Sequence, residues 1–170
     1  MSDVERAGQS ERFEVRRLVR APAATIFAVL TDPAGHVQID SSGMLMSAEG
    51  SRVTAAGDRF LVHMDREALN DRPMGTYDVA VIVTQFEPNR LIEWTISGTI
   101  QPPIEHLYGY RLEPDESADG EPGSTWVTSY YDWSRIEPRY REAAIFPVIP
   151  ESALRATLGI LARTVGGQPR

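Results

Sequence analysis

The chain has 170 residues, a formal net charge of -7 and no cysteine. Seventeen Lys and Arg stand against 24 Asp and Glu with no basic run, so the phosphate-neutralising footprint of a nucleic-acid binder is missing. The lack of cysteine excludes disulfides, thiolate nucleophiles and cysteine metal sites.

The 42% hydrophobic and 24% charged content is that of a globular domain, which at this length buries roughly 70% of its unfolded surface. We read one domain over 11–166, with 1–10 and 167–170 as flexible termini. The polar start MSDVERAGQSER lacks the apolar core of a signal peptide, and no run has the length of a membrane span, so a cytoplasmic protein without a transmembrane segment is expected.

In chain order, FEVRRLVRA (13–21) places Phe13, Val15, Arg17 and Val19 on one face, the period of a half-buried strand. Pro22 ends it, and AATIFAVLTD spaces Ile26, Phe27 and Leu30 as a short helix closed by Asp32 and Pro33. Residues 34–43 are expected to form a second short helix or a loop. Six strand signals follow: MLMSAEG, DRFLVHMDRE, TYDVAVIVTQF, RLIEWTISG, HLYGYRLEP and STWVTSYYDWSRI. The connections ALNDRPMG, EPN and DESADGEPG carry turn chemistry, which favours consecutive antiparallel hairpins. After Pro150, Leu154, Leu158, Leu161 and Val165 fall on one stripe of an amphipathic helix about four turns long.

This order is α+β, and the last helix is the only element large enough to cover the sheet. A curved sheet around one helix tends to enclose a cavity. Alternation aims Phe60, Val62, Met64 and Arg66 inward and leaves His63 at the surface. It aims Ile92, Trp94 and Ile96 inward with Glu93 outward, then Tyr108, Tyr110 and Leu112 inward. In the last strand Val127, Ser129, Tyr131 and Trp133 form the inner set. Burial alone accounts for such aromatic faces about twice as often as a ligand does. Arg17 and Arg66 lie on apolar faces and must find carboxylates or reach the rim.

The stretches FEVRRLVRAPAATIFAVLTDP, H-x-x-x-D-S-S-G (His36 to Gly43), GDRFLVHM, FEPNRLIEW, VTSYYDWS and the terminal LARTV resemble the START-type helix-grip (SRPBCC) superfamily. The resemblance is narrower to its polyketide cyclase/dehydrase and lipid-transport branch, of actinobacterial type. It implies a helix-grip fold: a seven-stranded curved antiparallel sheet around a long C-terminal helix, with two short helices after the first strand. It implies no single activity.

The expected function is binding of a hydrophobic small molecule, lipidic or aromatic and polyketide-like, as a carrier or sensor. A polyketide cyclase or dehydratase and an interaction module with a vestigial pocket are the alternatives. The expected ligand wall is Phe60, Met64, Trp94, Tyr108, Tyr110, Tyr131 and Trp133 on the sheet, with Leu154 and Leu158 on the helix. Catalytic roles are unassigned, with His36, Asp40 and Arg66 as weak candidates; for His36 simple packing is favoured about two to one. His36, His63 and His106 lack zinc-site spacing, and no phosphate loop is present, so neither metal nor cofactor is expected.

Overall fold

The computed structural model describes residues 10–70, 73–116 and 123–166. Of the termini expected to be flexible, 1–10 and 167–170, all but residue 10 lie outside the described residues, as do parts of two connections at 71–72 and 117–122. Seven strands are present: β1 (Arg12–Val19), β2 (Leu45–Glu49), β3 (Arg59–Asp65), β4 (Thr76–Glu87), β5 (Leu91–Ser97), β6 (Leu107–Pro114) and β7 (Thr125–Asp132). They form one sheet in the order β1-β7-β6-β5-β4-β3-β2, every neighbouring pair antiparallel. The hairpins therefore run consecutively from β2 to β7, and β1 closes the far edge.

The long link from β1 to β2 crosses the sheet through α1 (Ala23–Leu30) and α2 (Pro33–Ile39). Asp32 caps α2 by accepting from the Ala34 amide at 3.1 Å, and Pro33 occupies its first turn, where a missing N–H costs nothing. Gly35 lets α2 press on α1: a Cβ there would stand 1.9 Å from the Val29 carbonyl oxygen. The segment read as helix or loop is thus both, helix to Ile39 and loop from Asp40. A short charged helix, α3 (Pro138–Glu142), was not anticipated; it buries no residue, so it leaves no apolar period in the sequence.

The last helix, α4 (Glu151–Val165), buries Leu154, Leu158 and Leu161. Glu151 lies in its first turn and Arg163 in its last, the arrangement its dipole favours. It packs on β1, β7, α1 and α2, so it covers one end of the sheet. The inner faces of β3 to β6 are left for other cover, and that is where the open volume lies.

The alternation holds on the inner face, with Val62, Val83, Ile92, Leu112 and Tyr131 all nearly inaccessible. It fails as a guide to solvent on the outer face. Glu93 points outward as expected yet is buried, because Tyr130 closes over it and the Thr84 and Gln85 side chains also donate to it. His63 stays half-exposed between Asp78 and Glu49. Arg17 resolves its conflict by reaching the surface beside Gly159 of α4.

Candidate functional site: two joined chambers

Two chambers lie between the inner face and its cover, of about 160 and 210 Å³. Each reaches or exceeds the ~150 Å³ engineered apolar cavity that takes up benzene. They share Met44, Met64, Val79, Ile96, Tyr108 and Ile149, so one wall of flexible and aromatic side chains serves both. The smaller, chamber I, lies between the α2–β2 loop and the start of α4. The larger, chamber II, lies between the β3–β4 turn, the β5–β6 connection and the segment before α4.

Of the expected wall, Met64, Trp94, Tyr108, Tyr110 and Leu154 line chamber I, and Met64 and Tyr108 also line chamber II. Trp94 stacks on Tyr108 at 5.9 Å and lies 5.7 Å from the Tyr110 ring. Phe60, Tyr131, Trp133 and Leu158 line neither chamber. Phe60 backs the His36 ring, Trp133 packs between Phe13 and Tyr131, and Leu158 is sealed in the core.

The three weak catalytic candidates are not brought together. His36 and Asp40 line chamber I, and Arg66 lines chamber II. His36 is buried edge-on to Phe60 and Trp94, and its Nε2 donates to the Leu30 carbonyl at 2.7 Å, which fixes the proton on that nitrogen. Burial pushes its pKa down to about 4 against the opposing pull of that carbonyl and Asp32, so the ring is neutral at neutral pH.

Asp40 ties its loop. Its Oδ1 accepts from the Ser42 amide and hydroxyl at 3.0 and 2.7 Å, and its Oδ2 from the Gly43 and Leu45 amides at 2.9 and 3.2 Å. The D-S-S-G string is thus a side-chain-closed turn. Ser41 joins this loop to α4, donating to the Ala153 carbonyl and accepting from the Thr157 hydroxyl.

One group in chamber II escaped the sequence reading. His106 lies two residues before Tyr108, hence on the same face, a signal that alternation contains. It is buried, its Nδ1 is 2.7 Å from the Tyr131 hydroxyl, and its ring meets Tyr108, Tyr131 and Phe146 edge-on. Burial holds its pKa down near about 4. The Tyr131 hydroxyl also engages Tyr108 and the Val148 backbone, and burial raises both phenols above their usual range. A chain of neutral hydrogen-bonding groups therefore runs from the core into chamber II. Among the described residues no three His, Asp or Glu cluster as metal ligands would.

A sheet wrapped on a long C-terminal helix, with two short helices after the first strand, is the helix-grip fold. Solved structures share it. A truncated norcoclaurine synthase from Thalictrum flavum superposes with a TM-score of 0.61 at 14% identity, covering 93% of this chain and 94% of that one. An AHSA1-like protein from Aeromonas hydrophila does so at 0.54 and 15% identity, covering 91% and 92%. No family model matches the chain. An uncharacterized protein of Mycobacterium tuberculosis is 28% identical over 116 residues, which are 68% of this chain and 44% of that protein. The match thus spans less than half of that curated relative. Among the described residues, no helix is long and apolar enough to cross a membrane.

Proposed function

We propose that this chain binds one hydrophobic small molecule, with a lipidic or aromatic body, across the two chambers and serves as its carrier or sensor in the cytoplasm. Membership of the START-type superfamily, in its cyclase and lipid-transport branch, belongs to the same proposal. The observation that carries it is the shared wall: six side chains border both chambers, so one elongated ligand contacts them throughout. Two are methionines, whose unbranched side chains adapt to irregular ligands. The side chains of His36, Asp40, Ser41, Ser42 and Thr157 in chamber I already hold hydrogen bonds within the protein, which suits an apolar guest.

The cyclase or dehydratase reading draws support from the His106, Tyr131 and Tyr108 chain, which gives chamber II hydrogen-bonding groups beside a ligand. A base held near about 4 is weak at neutral pH, however, so binding without turnover is the better-supported reading. A vestigial pocket would be filled, and these chambers are open.

Mass spectrometry of small molecules that copurify with the native protein tests the proposal, together with titration by an apolar fluorescent probe. Saturation at about one probe per chain is expected. Failure to bind any apolar probe, with nothing copurifying, would sink it.

A further inference from the structure

Among the described residues that line chamber II, three are buried, Met64, Val79 and His106, and of these His106 alone is polar. It is held at backbone and ring alike. The Thr95 hydroxyl of β5 donates to its carbonyl at 2.8 Å, and its Nδ1 lies 2.7 Å from the Tyr131 hydroxyl. The rings of Tyr108, Tyr131 and Phe146 meet the imidazole edge-on and leave it little room to turn.

The other ring nitrogen is open. Among the described residues no group hydrogen-bonds to Nε2, and none of their fully enclosed side-chain nitrogens and oxygens lacks a partner. Nε2 is therefore not enclosed, and because the ring lines chamber II, it opens on that chamber. A polar atom on a residue only 5% exposed is costly to leave without a hydrogen bond. The neighbouring polar groups are engaged or shallower: the Tyr108 phenol bonds with Tyr131, Tyr77 and Thr99 are more exposed, and Arg66 holds an interaction of its own. Burial keeps the imidazole neutral at neutral pH, so it offers a hydrogen bond without a charge. Nε2 donates where Tyr131 gives its proton to Nδ1 and accepts where Nδ1 carries the proton. A hydroxyl answers both cases, whereas a carbonyl answers only the first.

Resting on the cavity reading above, we propose that the ligand is an amphipathic alcohol: its neutral hydroxyl lies in chamber II against Nε2 of His106, and its apolar body extends past Met64 and Tyr108 into chamber I. The orientation follows from where a hydrogen bond is still to be made. In chamber I the side chains of His36, Asp40, Ser41, Ser42 and Thr157 already hold bonds within the protein. A hydroxyl there competes with an existing bond, whereas in chamber II it completes one, and a site built around an open polar atom disfavours the analogue that lacks the matching group.

The test compares pyrenebutanol with butylpyrene, read by fluorescence on the parent chain and on His106→Phe. The parent is expected to bind the alcohol at least as tightly as the hydrocarbon, although the alcohol gives up more hydrogen bonding to water. In His106→Phe the alcohol should lose roughly tenfold or more against the hydrocarbon, whose own affinity stays close to that of the parent. A measurement on the parent alone does not depend on how the variant folds. In isotopically labelled protein the Nε2 resonance of His106 should shift with the alcohol and hold still with the hydrocarbon. Tighter binding of the hydrocarbon by the parent, an alcohol affinity that survives in His106→Phe, or an Nε2 resonance that ignores the alcohol overturns this proposal and leaves the cavity reading standing. Binding of neither probe overturns both.

Discussion

Tyr130 on β7 donates to Glu93 Oε2 on β5 at 2.7 Å, reaching over the intervening strand β6. Gly109 makes this possible. It is paired with Glu93 on one side and Tyr130 on the other, and a Cβ there would fall 2.3 Å from the phenol ring and 2.4 Å from its oxygen. Arg12 lies over the same ring at 4.2 Å, so the phenol is sandwiched and cannot lift away freely. Gly109→Ala is expected to push Tyr130 aside, leave a buried carboxylate short of a donor and cost about 2–3 kcal/mol in urea unfolding. Tyr130→Phe removes the same bond without the clash, at about 1.5–3 kcal/mol. Both act on the outer face, so probe binding in the chambers should not change. A Gly109→Ala chain as stable as the parent would contradict this account.

Acid sensitivity follows from the two buried imidazoles. His36 and His106 have folded pKa values pushed down to about 4 from 6.5, so between those values the unfolded chain binds more protons than the folded one. Stability is therefore complete above about pH 6.5, falls as pH drops toward about 4, and gains no further slope from these groups below that. Each contributes a loss on the order of a few kcal/mol. Urea midpoints taken from neutral to mildly acidic pH check it. His36→Phe or His106→Phe should flatten the curve in that window even where it lowers stability at neutral pH. Parent and variant curves that run parallel would show the imidazoles are not the cause.

Much of this arrangement is legible in the sequence, for a local reason. Strand alternation is set by the pleat, so Trp94, Tyr108 and Tyr110 declare their face without knowledge of their neighbours. The leucine stripe of α4 does the same at helical period. What is not legible depends on distant partners. Glu93 reads as solvated because nothing local says that Tyr130, 37 residues away, will cover it. Tyr131 and Trp133 are inward but stand behind the chambers, since which inward residues touch open volume depends on where α4 stops covering the sheet. Asp40 reads as a weak catalytic candidate, whereas its spacing to Ser42 and Gly43 also encodes a closed turn.

Filling one chamber separates the roles of the two. Ala153 is a small residue of α4 on the wall of chamber I, and only half-buried. Ala153→Phe should occupy that chamber with little effect on folding and weaken an apolar probe by roughly tenfold or more, by removing the volume its body needs. Trp94→Phe gives the complementary readout. Trp94 lines chamber I, Trp133 stands behind the chambers against Phe13 and Tyr131, and Trp126 lies on the outer face under Arg16, so a bound probe should quench tryptophan emission in the parent and less in Trp94→Phe, where only the more distant Trp133 and Trp126 remain. Full quenching in that variant would place the probe elsewhere.

The Asp40 loop gives the last prediction, because four donors converge on one carboxylate. In Asp40→Asn one of its two oxygens becomes an NH2 group. Oδ1 receives the Ser42 amide and hydroxyl, and Oδ2 the Gly43 and Leu45 amides, so either amide orientation turns N–H against N–H. The loop must open on one side, at a cost of about 2–3 kcal/mol. Opening it also displaces Ser41 and Ser42 from the wall of chamber I, where Ser41 bonds to Ala153 and Thr157 of α4. Probe affinity should therefore fall together with stability, and Thr157→Val, which loosens the same joint from the helix side, should reproduce the affinity loss at smaller stability cost. The pH dependence of binding decides between this positioning role and a chemical one. A positioning carboxylate leaves the profile of the variant parallel to that of the parent, whereas a change in its shape would mean that Asp40 exchanges a proton with the ligand.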